Sequence, residues 1–292
     1  MLLNQPTSIT HLHLLNTINT ELCRTEEQEK SLAVVRVLDM GCGKGNLLVY
    51  LSQVLPLLHP ELVFEFYGYD IEEHGARNKD YLTSLLSYLE SESPTEPWKK
   101  RIYVISANEP LPMKDNFFQF IVSNQVFEHV RNHNVIFQEI HRCLADNGVS
   151  INLFPLRDVL YEEHLFLPLA HKIQNWDLLK SYIKLLNWCG LGRYSEFKEQ
   201  DMSLEKYAQT CADYLLKFTN YQGDQDFLLL GKKHGLRPSF RYTQDFYFTK
   251  LCSLLKLSPS YQYRTHRSSL LDTVSLMFLK YVSSVTLVLE KA

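Results

Sequence analysis

One short run constrains the fold of this chain more than any other. It reads Val-Leu-Asp-Met-Gly-Cys-Gly-Lys-Gly-Asn-Leu-Leu and occupies residues 37–48. The apolar residues that end at Asp39 predict a buried strand. Gly41, Gly43 and Gly45 follow at every second position, and apolar helix-forming residues come next. A strand, a glycine-rich turn and a helix in this order predict an open α/β sheet that binds a nucleotide-like ligand at its carboxyl edge.

The spacing of the glycines narrows the class of ligand. A dinucleotide site needs G-x-G-x-x-G, and Asn46 stands where its third glycine belongs. A phosphate-binding Walker loop needs G-x-x-x-x-G-K-[ST], and Lys44 is not placed for it. A glycine-rich turn without any ligand is the remaining structural alternative.

The run D-x-G-x-G-x-G resembles motif I of class I S-adenosylmethionine-dependent methyltransferases. The resemblance implies that the chain binds S-adenosyl-L-methionine (SAM) and releases S-adenosyl-L-homocysteine. An acidic residue beside the turn suits a ligand that carries an ammonium group and a sulfonium. The cofactor-binding residues implied here are Asp39, Gly41, Cys42, Gly43 and Gly45.

A second predicted strand, residues 62–69, ends at Asp70. A carboxylate at this strand end can accept two hydrogen bonds, and in the methyltransferase family an acidic residue here binds both ribose hydroxyls. The resemblance therefore adds Asp70 and the adjacent Ile71 to the cofactor site. An ordinary polar strand end is the alternative.

The third matching segment spans residues 101–130 and contains two further predicted strands, 101–105 and 119–123. It is similar to the pattern LPF-x-D-N-x-F-D … S-N-x-V-L-E-H-V of the methyltransferase branch that includes ubiquinone and small-molecule O-methyltransferases. A fifth strand is predicted at 149–154. Relatives carry Asp-Ala ahead of this pattern, the Asp contacting the adenine amino group, whereas this chain has Ala and Asn. The implied cofactor contacts are Ala107, Asn108, Asn124 and Gln125.

The composition limits which binding partners and which cellular compartment are compatible with the chain. The net charge is −3 with 30 basic and 33 acidic residues and no basic block, which argues against nucleic acid as a partner. The six cysteines show no C-x-x-C pairing, so a reducing cytoplasm is predicted. The apolar stretch 270–289 contains Asp272 and Lys280. Because charges are costly inside a bilayer, we interpret it as a helix followed by a buried strand.

The resemblance implies a Rossmann-like, seven-stranded α/β sheet with helical cap insertions. We predict an N-terminal helical lid (1–33), a SAM-binding core (34–154), a helical cap over the substrate (155–235) and a C-terminal part that completes the sheet (236–292). Within the last part a sixth strand is predicted in 240–248, a helical insertion in 249–280 and an antiparallel strand in 283–290. In the lid, a helix over residues 8–30 is predicted from the apolar face formed by Leu12, Leu15, Ile18 and Leu22.

Two histidine-containing segments are candidates for acid–base chemistry. Histidine is the usual base near neutral pH for an acceptor hydroxyl. His129 follows the fourth predicted strand, and His164 follows the fifth, where Glu162 or Glu163 could hold its tautomer. We predict His164 as the base or acceptor-orienting residue, with His129 and Glu163 as further catalytic candidates. Few carboxylates accompany Asn124 and Gln125, so no metal ion is predicted.

Three functions are compatible with these patterns. The first is a SAM-dependent methyltransferase that O-methylates a small molecule or glycan in a biosynthetic pathway. The second is a methyltransferase with a nitrogen or carbon acceptor, which needs no base to deprotonate a hydroxyl. The third is a catalytically silent SAM-fold protein that acts as a scaffold. The oligomeric state is not indicated by the sequence.

Overall fold

The computed structural model describes residues 8–27, 34–71, 80–106, 109–200 and 202–292. Its strands are β1 (Val34–Met40), β2 (Val63–Ile71), β3 (Ile102–Ile105), β4 (Phe118–Asn124), β5 (Leu144–Pro155), β6 (Tyr161–Glu162), β7 (Leu167–Pro168), β8 (Leu236–Ser239) and β9 (Ser284–Lys291). Its α-helices are α1 (Ile9–Glu27), α2 (Asn46–Leu58), α3 (Tyr81–Glu92), α4 (His133–Cys143), α5 (Trp176–Trp188), α6 (Leu204–Phe218), α7 (Asp224–Lys233), α8 (Thr243–Leu254) and α9 (Ser269–Leu279).

The described residues form a central seven-stranded sheet in the order β3-β2-β1-β4-β5-β9-β8. Strands β1 to β5 are mutually parallel, and β9 runs antiparallel between β5 and β8. This confirms the predicted Rossmann-like sheet. Strand β1 has a neighbour on each side, and Val35, Val37 and Leu38 are fully buried. Such burial on both faces explains why the strand is a continuous apolar run.

Helix α1 lies against the sheet and against α2 and α8. The four predicted apolar residues, Leu12, Leu15, Ile18 and Leu22, are buried, so the predicted helix is confirmed over Ile9–Glu27. Residues 28–30 of that prediction lie outside the described ranges. Polar contacts fix the helix as well, because buried Glu21 accepts hydrogen bonds from Arg241 and Tyr242.

Residues 155–235 contain the β6–β7 hairpin, short 3-10 turns and three helices. Helices α5 and α6 pack against each other around a hydrophobic cluster of their own. Helix α7 behaves differently, because it contacts α4 and β8 instead. A Cβ on Gly231 of α7 would lie 2.9 Å from Pro238 of β8. Residues 155–235 are therefore largely helical, as predicted. Helix α7, however, packs against β8 and α4 and not against α5 and α6.

The sixth strand was predicted in the wrong place. Residues 240–248 contain no strand: β8 ends at Ser239, and α8 begins at Thr243. Phe240, Tyr242, Phe246 and Phe248 stand at even-numbered positions, with Gln244 between them, and so imitate the alternation of a strand. Phe248 nevertheless is exposed, whereas Thr243 and Phe246 are buried at helical spacing. The actual strand contains Pro238, which an edge strand such as β8 tolerates.

The antiparallel last strand is confirmed as β9. It pairs with β5 from Val149↔Glu290 to Pro155↔Ser284 and with β8 from Leu236↔Lys291 to Ser239↔Val288. Together α9 and β9 account for the apolar stretch 270–289, as interpreted from its charges. None of the helices within the described ranges has the length and apolar character needed to cross a membrane.

Candidate active site

The glycine-rich loop joins the end of β1 to the start of α2. Gly41, Gly43 and Gly45 have φ angles of 75°, 52° and 80°, a region that strongly favours glycine. A Cβ on Gly41 would lie 2.6 Å from Val126 Cγ2, whereas a Cβ on Gly43 would have no described atom closer than 4.0 Å apart from those of its chain neighbours. The loop is thus pressed against the segment after β4 on one side and open on the other.

Strand β2 holds the loop through backbone and side-chain hydrogen bonds. The N–H groups of Gly41 and buried Cys42 both donate to the carbonyl of Tyr69, at 2.9 and 3.1 Å. Asp70 Oδ2 accepts from the Gly43 N–H at 2.8 Å, and its Oδ1 accepts from the Ile71 N–H at 2.9 Å. The buried Asp70 carboxylate therefore shapes the loop itself.

Tyr81, the first residue of α3, is a site residue that the sequence analysis missed. Its hydroxyl lies 2.5 Å from the carbonyl oxygen of Gly43 and 3.1 Å from Asp70 Oδ2. It therefore closes the loop against the strand end. No motif signals this role, because nothing in the sequence around Tyr81 distinguishes it from an ordinary residue at the start of a helix.

Asp39 lies in β1 immediately before the loop and is 2% exposed. Burial, reinforced by the nearby carboxylate of Asp70, raises the pKa of Asp39 from 3.8 to about 8. Two acidic side chains therefore share this strand edge. A cationic group placed beside them would favour the ionised form of Asp39.

Asn124 and Gln125 lie where β4 ends. Asn124 Nδ2 donates to Thr10 Oγ1 of α1 at 3.2 Å, while its buried Oδ1 has no hydrogen-bond partner among the described residues. Gln125 has a φ of 57°, and its Nε2 donates to Ser284 Oγ at 2.8 Å. The unsatisfied oxygen of Asn124 marks a place for a hydrogen-bond donor, since buried polar atoms are normally paired.

His129 and His164 come together although they follow different strands. Their ring centroids are 5.1 Å apart, and Tyr214 of α6 lies against both rings. His129 Nδ1 lies 2.8 Å from the carbonyl oxygen of Phe218. Because a carbonyl can only accept, this nitrogen carries a proton. The structure thus brings the two predicted histidines into one cluster with residues of the segment 155–235.

Glu162, rather than Glu163, is the carboxylate that holds His164. Its Oε1 lies 2.6 Å from His164 Nδ1 and accepts from the Tyr221 hydroxyl at 2.8 Å. Its Oε2 accepts from the N–H of Leu165 at 2.7 Å. Burial alone would raise the pKa of Glu162. The hydrogen bonds, chiefly that of His164, outweigh burial and hold this pKa below its usual value. Glu162 is therefore an ionised anchor for the imidazole.

Glu163 and Glu128 have different surroundings. Glu163 lies 2.5 Å from Ser283 Oγ and 3.4 Å from Ser284 Oγ. The side chain of Glu128 is fully buried, and neither of its oxygens has a hydrogen-bond partner among the described residues. Burial, with the charges of Glu163 and Glu162, raises the pKa of Glu128 well above its usual value.

A family model described as "Methyltransferase domain" matches residues 13–191, which is more than half of the chain. The chain belongs to this methyltransferase family. The match covers α1, the glycine loop, the strand ends of β2 and β4, and the histidine cluster. It confirms the family that the motifs indicated.

Two curated relatives of this methyltransferase are named as hydroxylases and not as methyltransferases. The chain is 31% identical over 133 residues to the mitochondrial arginine-hydroxylase NDUFAF5 of Homo sapiens and 29% identical to that of Mus musculus. Each match covers 46% of this chain but 32% of the relative. The chain thus spans about a third of the length of these relatives.

Two solved structures have a similar architecture at low identity. PKMT2 from Rickettsia typhi in complex with AdoHcy is 12% identical with a TM-score of 0.49, covering 98% of this chain and 53% of that one. Phosphoethanolamine N-methyltransferase 2 of Haemonchus contortus in complex with S-adenosyl-L-methionine is 14% identical with a TM-score of 0.43, covering 98% and 56%.

The cofactor of the methyltransferase is SAM, and the described residues fit it. The open space at Gly43 admits a ligand against the loop, and the oxygen of Asn124 lacks a donor. Asp39 suits a cationic ligand, as does the carboxylate of Asp70. The remaining predicted contacts, Ala107 and Asn108, lie outside the described residues.

The raised pKa of Asp39 predicts pH-dependent cofactor binding. If the SAM ammonium group selects ionised Asp39, binding releases a proton, so affinity should rise by up to about tenfold per pH unit until the pH reaches the pKa of about 8. Calorimetry between about pH 6 and pH 8 measures this slope. Asp39→Asn should bind more weakly with a flatter profile, and a flat profile in the wild type would contradict the assignment.

The same shift has a consequence for stability. The folded-state pKa of Asp39 lies above its unfolded value, so the protonated form is favoured by folding. This contribution is fully present below about pH 4 and is lost as the pH rises through about 8. Without SAM, Asp39→Asn should therefore gain thermal stability relative to the wild type as the pH rises through this window.

Proposed function

We propose that this methyltransferase transfers the methyl group of SAM to a hydroxyl oxygen of a small molecule or glycan, in a biosynthetic role. The observation that carries the proposal is the His164–Glu162 pair, in which a buried carboxylate holds Nδ1 of a partly exposed imidazole at 2.6 Å. The pair leaves Nε2 of His164 to take a proton from an acceptor hydroxyl, the arrangement expected of a general base.

The bound cofactor would supply an electrophilic methyl group, and the chain's own residues would orient the acceptor and exclude water. We assign this second task to the segment 155–235, acting as a cap, and to α1 acting as a lid. Contact between Asn124 and Thr10 supports the lid, because it joins α1 to the strand end nearest the cofactor loop. Packing of Tyr214 on both histidines supports the cap.

A cavity of about 450 Å³ is a candidate entry for the acceptor. Tyr221 lines it and donates to Glu162 at 2.8 Å, so the wall of the cavity touches the proposed base pair. Arg157 and Lys172 also line it. A polar acceptor rich in hydroxyl groups suits such a lining better than a purely apolar one.

A nitrogen acceptor is the second candidate. The name of the curated relatives refers to arginine, and the fully buried carboxylate of Glu128 lacks a hydrogen-bond partner among the described residues. A guanidinium group would pair with such a carboxylate. Under this alternative no hydroxyl has to be deprotonated, and the proton that the nitrogen loses on methylation would pass to Glu128 or to water. The scaffold alternative would show SAM binding without turnover.

The test incubates the purified chain with SAM labelled with carbon-13 in its methyl group and with metabolite, glycan and arginine-containing peptide fractions. Mass spectrometry then locates the label. We expect a labelled methyl on oxygen in a metabolite or glycan. A label on a guanidinium nitrogen would select the second candidate, and normal SAM binding with no labelled product from any fraction would select the scaffold.

A reducing compartment is proposed as the location of the protein. None of the six cysteines, all of which lie in the described ranges, forms a disulfide bond, and three of them, Cys42, Cys143 and Cys211, are buried. The prediction from the sequence is the cytoplasm, whereas the curated relatives are named as mitochondrial. Fractionation of cells that express a tagged chain would decide between these two reducing compartments.

A further inference from the structure

We infer that Glu128, His129 and His164 together bind one divalent first-row transition-metal ion. The inference goes beyond the proposed methyl transfer and departs from the prediction of no metal. One ligand atom from each of these residues lies within 4.8 Å of the others, and His129 Nε2 is 3.9 Å from Glu128 Oε1. Ligands on one ion lie about 3.3 Å apart at typical bond lengths. Binding therefore requires the donors to approach one another by about 0.6 Å for the pair at 3.9 Å and by at most about 1.5 Å for the widest pair.

The outer hydrogen bonds of both imidazoles have the pattern of metal ligands. A metal-binding histidine almost always donates its other ring N–H to a backbone carbonyl or a carboxylate. His129 Nδ1 donates to the carbonyl of Phe218 at 2.8 Å, and His164 Nδ1 donates to Glu162 at 2.6 Å. In both rings the Nε2 lone pair therefore points away from these partners. The partners are a backbone carbonyl and a carboxylate, the two kinds that metal-binding histidines usually have.

Glu128 supplies an independent argument. Its side chain is fully buried, and neither oxygen has a hydrogen-bond partner among the described residues. Its backbone is nevertheless fixed, because the Glu128 carbonyl accepts from the Asn220 N–H at 2.6 Å. A buried, unsatisfied carboxylate is costly unless a cation or a donor meets it. A metal ion beside the two imidazoles would satisfy it.

The donor set selects the kind of ion. Two imidazoles and one carboxylate suit Zn²⁺ and Fe²⁺, whereas Mg²⁺ and Ca²⁺ prefer sites built from oxygens alone. Three protein ligands leave positions open for water or substrate, as in catalytic rather than structural sites. If the proposed function holds, His164 cannot be the base while the ion is bound, because its Nε2 is then a ligand. The acceptor oxygen would occupy an open position, the adjacent cation would lower the pKa of its hydroxyl, and the proton would pass to water.

The test measures metal binding without reference to turnover. Chain treated with chelator and then freed of it is titrated with Zn²⁺ by calorimetry, with Fe²⁺ under anaerobic conditions, and bound metal is counted by elemental analysis. We expect one ion per chain. Because most nitrogen and oxygen sites bind Zn²⁺ more tightly than Fe²⁺, the native ion is assigned by elemental analysis of the chain as purified and not by the relative affinities. Replacement by Co²⁺ should give the visible absorption of a nitrogen- and oxygen-ligated ion.

Variants separate a built site from adventitious binding. Glu128→Gln and His164→Ala should each weaken binding by at least about tenfold, and Glu162→Gln should weaken it by about 10–100-fold through the ring it holds. His234→Ala is the matched control, because His234 contacts Asn134 at 2.8 Å on another part of the surface. Circular dichroism and thermal melting would show that each variant folds.

Two results would overturn the inference: a wild-type chain that binds no ion more tightly than Glu128→Gln, or a loss of binding in His234→Ala equal to that in His164→Ala. Failure of the proposed function has a different signature. If the chain binds one ion but methylates nothing, the metal site is supported and the proposed function fails. If chelation does not affect methyl transfer, the proposed function is supported with His164 as the base, and the metal ion has no part in the reaction.

Discussion

Replacing His164 by Ala is expected to lower the rate of methyl transfer by about 10²–10⁴-fold, the usual cost of losing a general base. Affinity for SAM should stay close to that of the wild type, because none of the contacts of the glycine loop involves His164. The same loss is expected if His164 positions a metal ion. Turnover with labelled SAM and calorimetry with unlabelled SAM measure the two quantities separately.

Neighbouring variants sharpen this prediction. Glu162→Gln should follow His164→Ala in direction and also alter the pH–rate profile, because it removes the charge that holds the imidazole. Glu163→Gln should lose much less, since that carboxylate contacts Ser283 and Ser284 instead. His234→Ala serves as the control for a surface histidine. Normal turnover in folded His164→Ala would pass the role to His129 or favour a nitrogen or carbon acceptor.

Replacing Asp70 by Ala is expected to weaken SAM binding by about tenfold or more. Hydrogen bonds to charged groups contribute about 1.5–3 kcal/mol each, and about 1.4 kcal/mol corresponds to a tenfold change. The variant would lose the predicted ribose contacts and also the support for the loop through the Gly43 N–H. Calorimetry with SAM and with S-adenosylhomocysteine measures the loss.

Tyr81→Phe separates the two contributions of Asp70. It removes only the hydroxyl that lies 3.1 Å from Asp70 Oδ2 and 2.5 Å from the Gly43 carbonyl. If loop support dominates, Tyr81→Phe should approach the loss seen in Asp70→Ala. If the cofactor contacts dominate, Asp70→Asn should bind far more weakly than Tyr81→Phe. An unchanged affinity in folded Asp70→Ala would remove Asp70 from the cofactor site.

Local patterns in the sequence predicted most of the sheet. Strands β1, β2, β4 and β5 are apolar runs bounded by polar residues and glycines, and each lies within a few residues of its predicted position. The exception is β8, a short edge strand of four residues that contains Pro238. Strand β8 is stabilised by its contacts with β9 and α7. Its pairing partner β9 is distant in the sequence, so no local pattern predicts the strand. The alternating aromatic residues from Phe240 onward therefore misplaced it.

The candidate site was predicted in part for the same reason. The glycine loop, Asp70 and the two histidines stand out by local motif. The relation between His164 and Glu162 was within reach, because these residues are two apart. The contact of Tyr221 with Glu162 spans 59 residues, and the unsatisfied state of Glu128 depends on how the cap packs. Long-range packing of this kind has no local signature, so the sequence alone did not bring Glu128, His129 and His164 together as one cluster.

The position of β9 between β5 and β8 bears on how a growing chain acquires this structure. Asn152 in β5 donates to the carbonyl of Leu287 in β9 across 135 residues. Until β9 has been synthesised, one side of β5 remains an open, apolar edge, the kind of surface that aggregates or recruits chaperones. Pairing over so long a separation is also slow. The glycine loop is synthesised early, whereas the sheet that supports it is completed only when β9 pairs with β5 and β8. We therefore expect cofactor binding to appear only after β9 has left the ribosome.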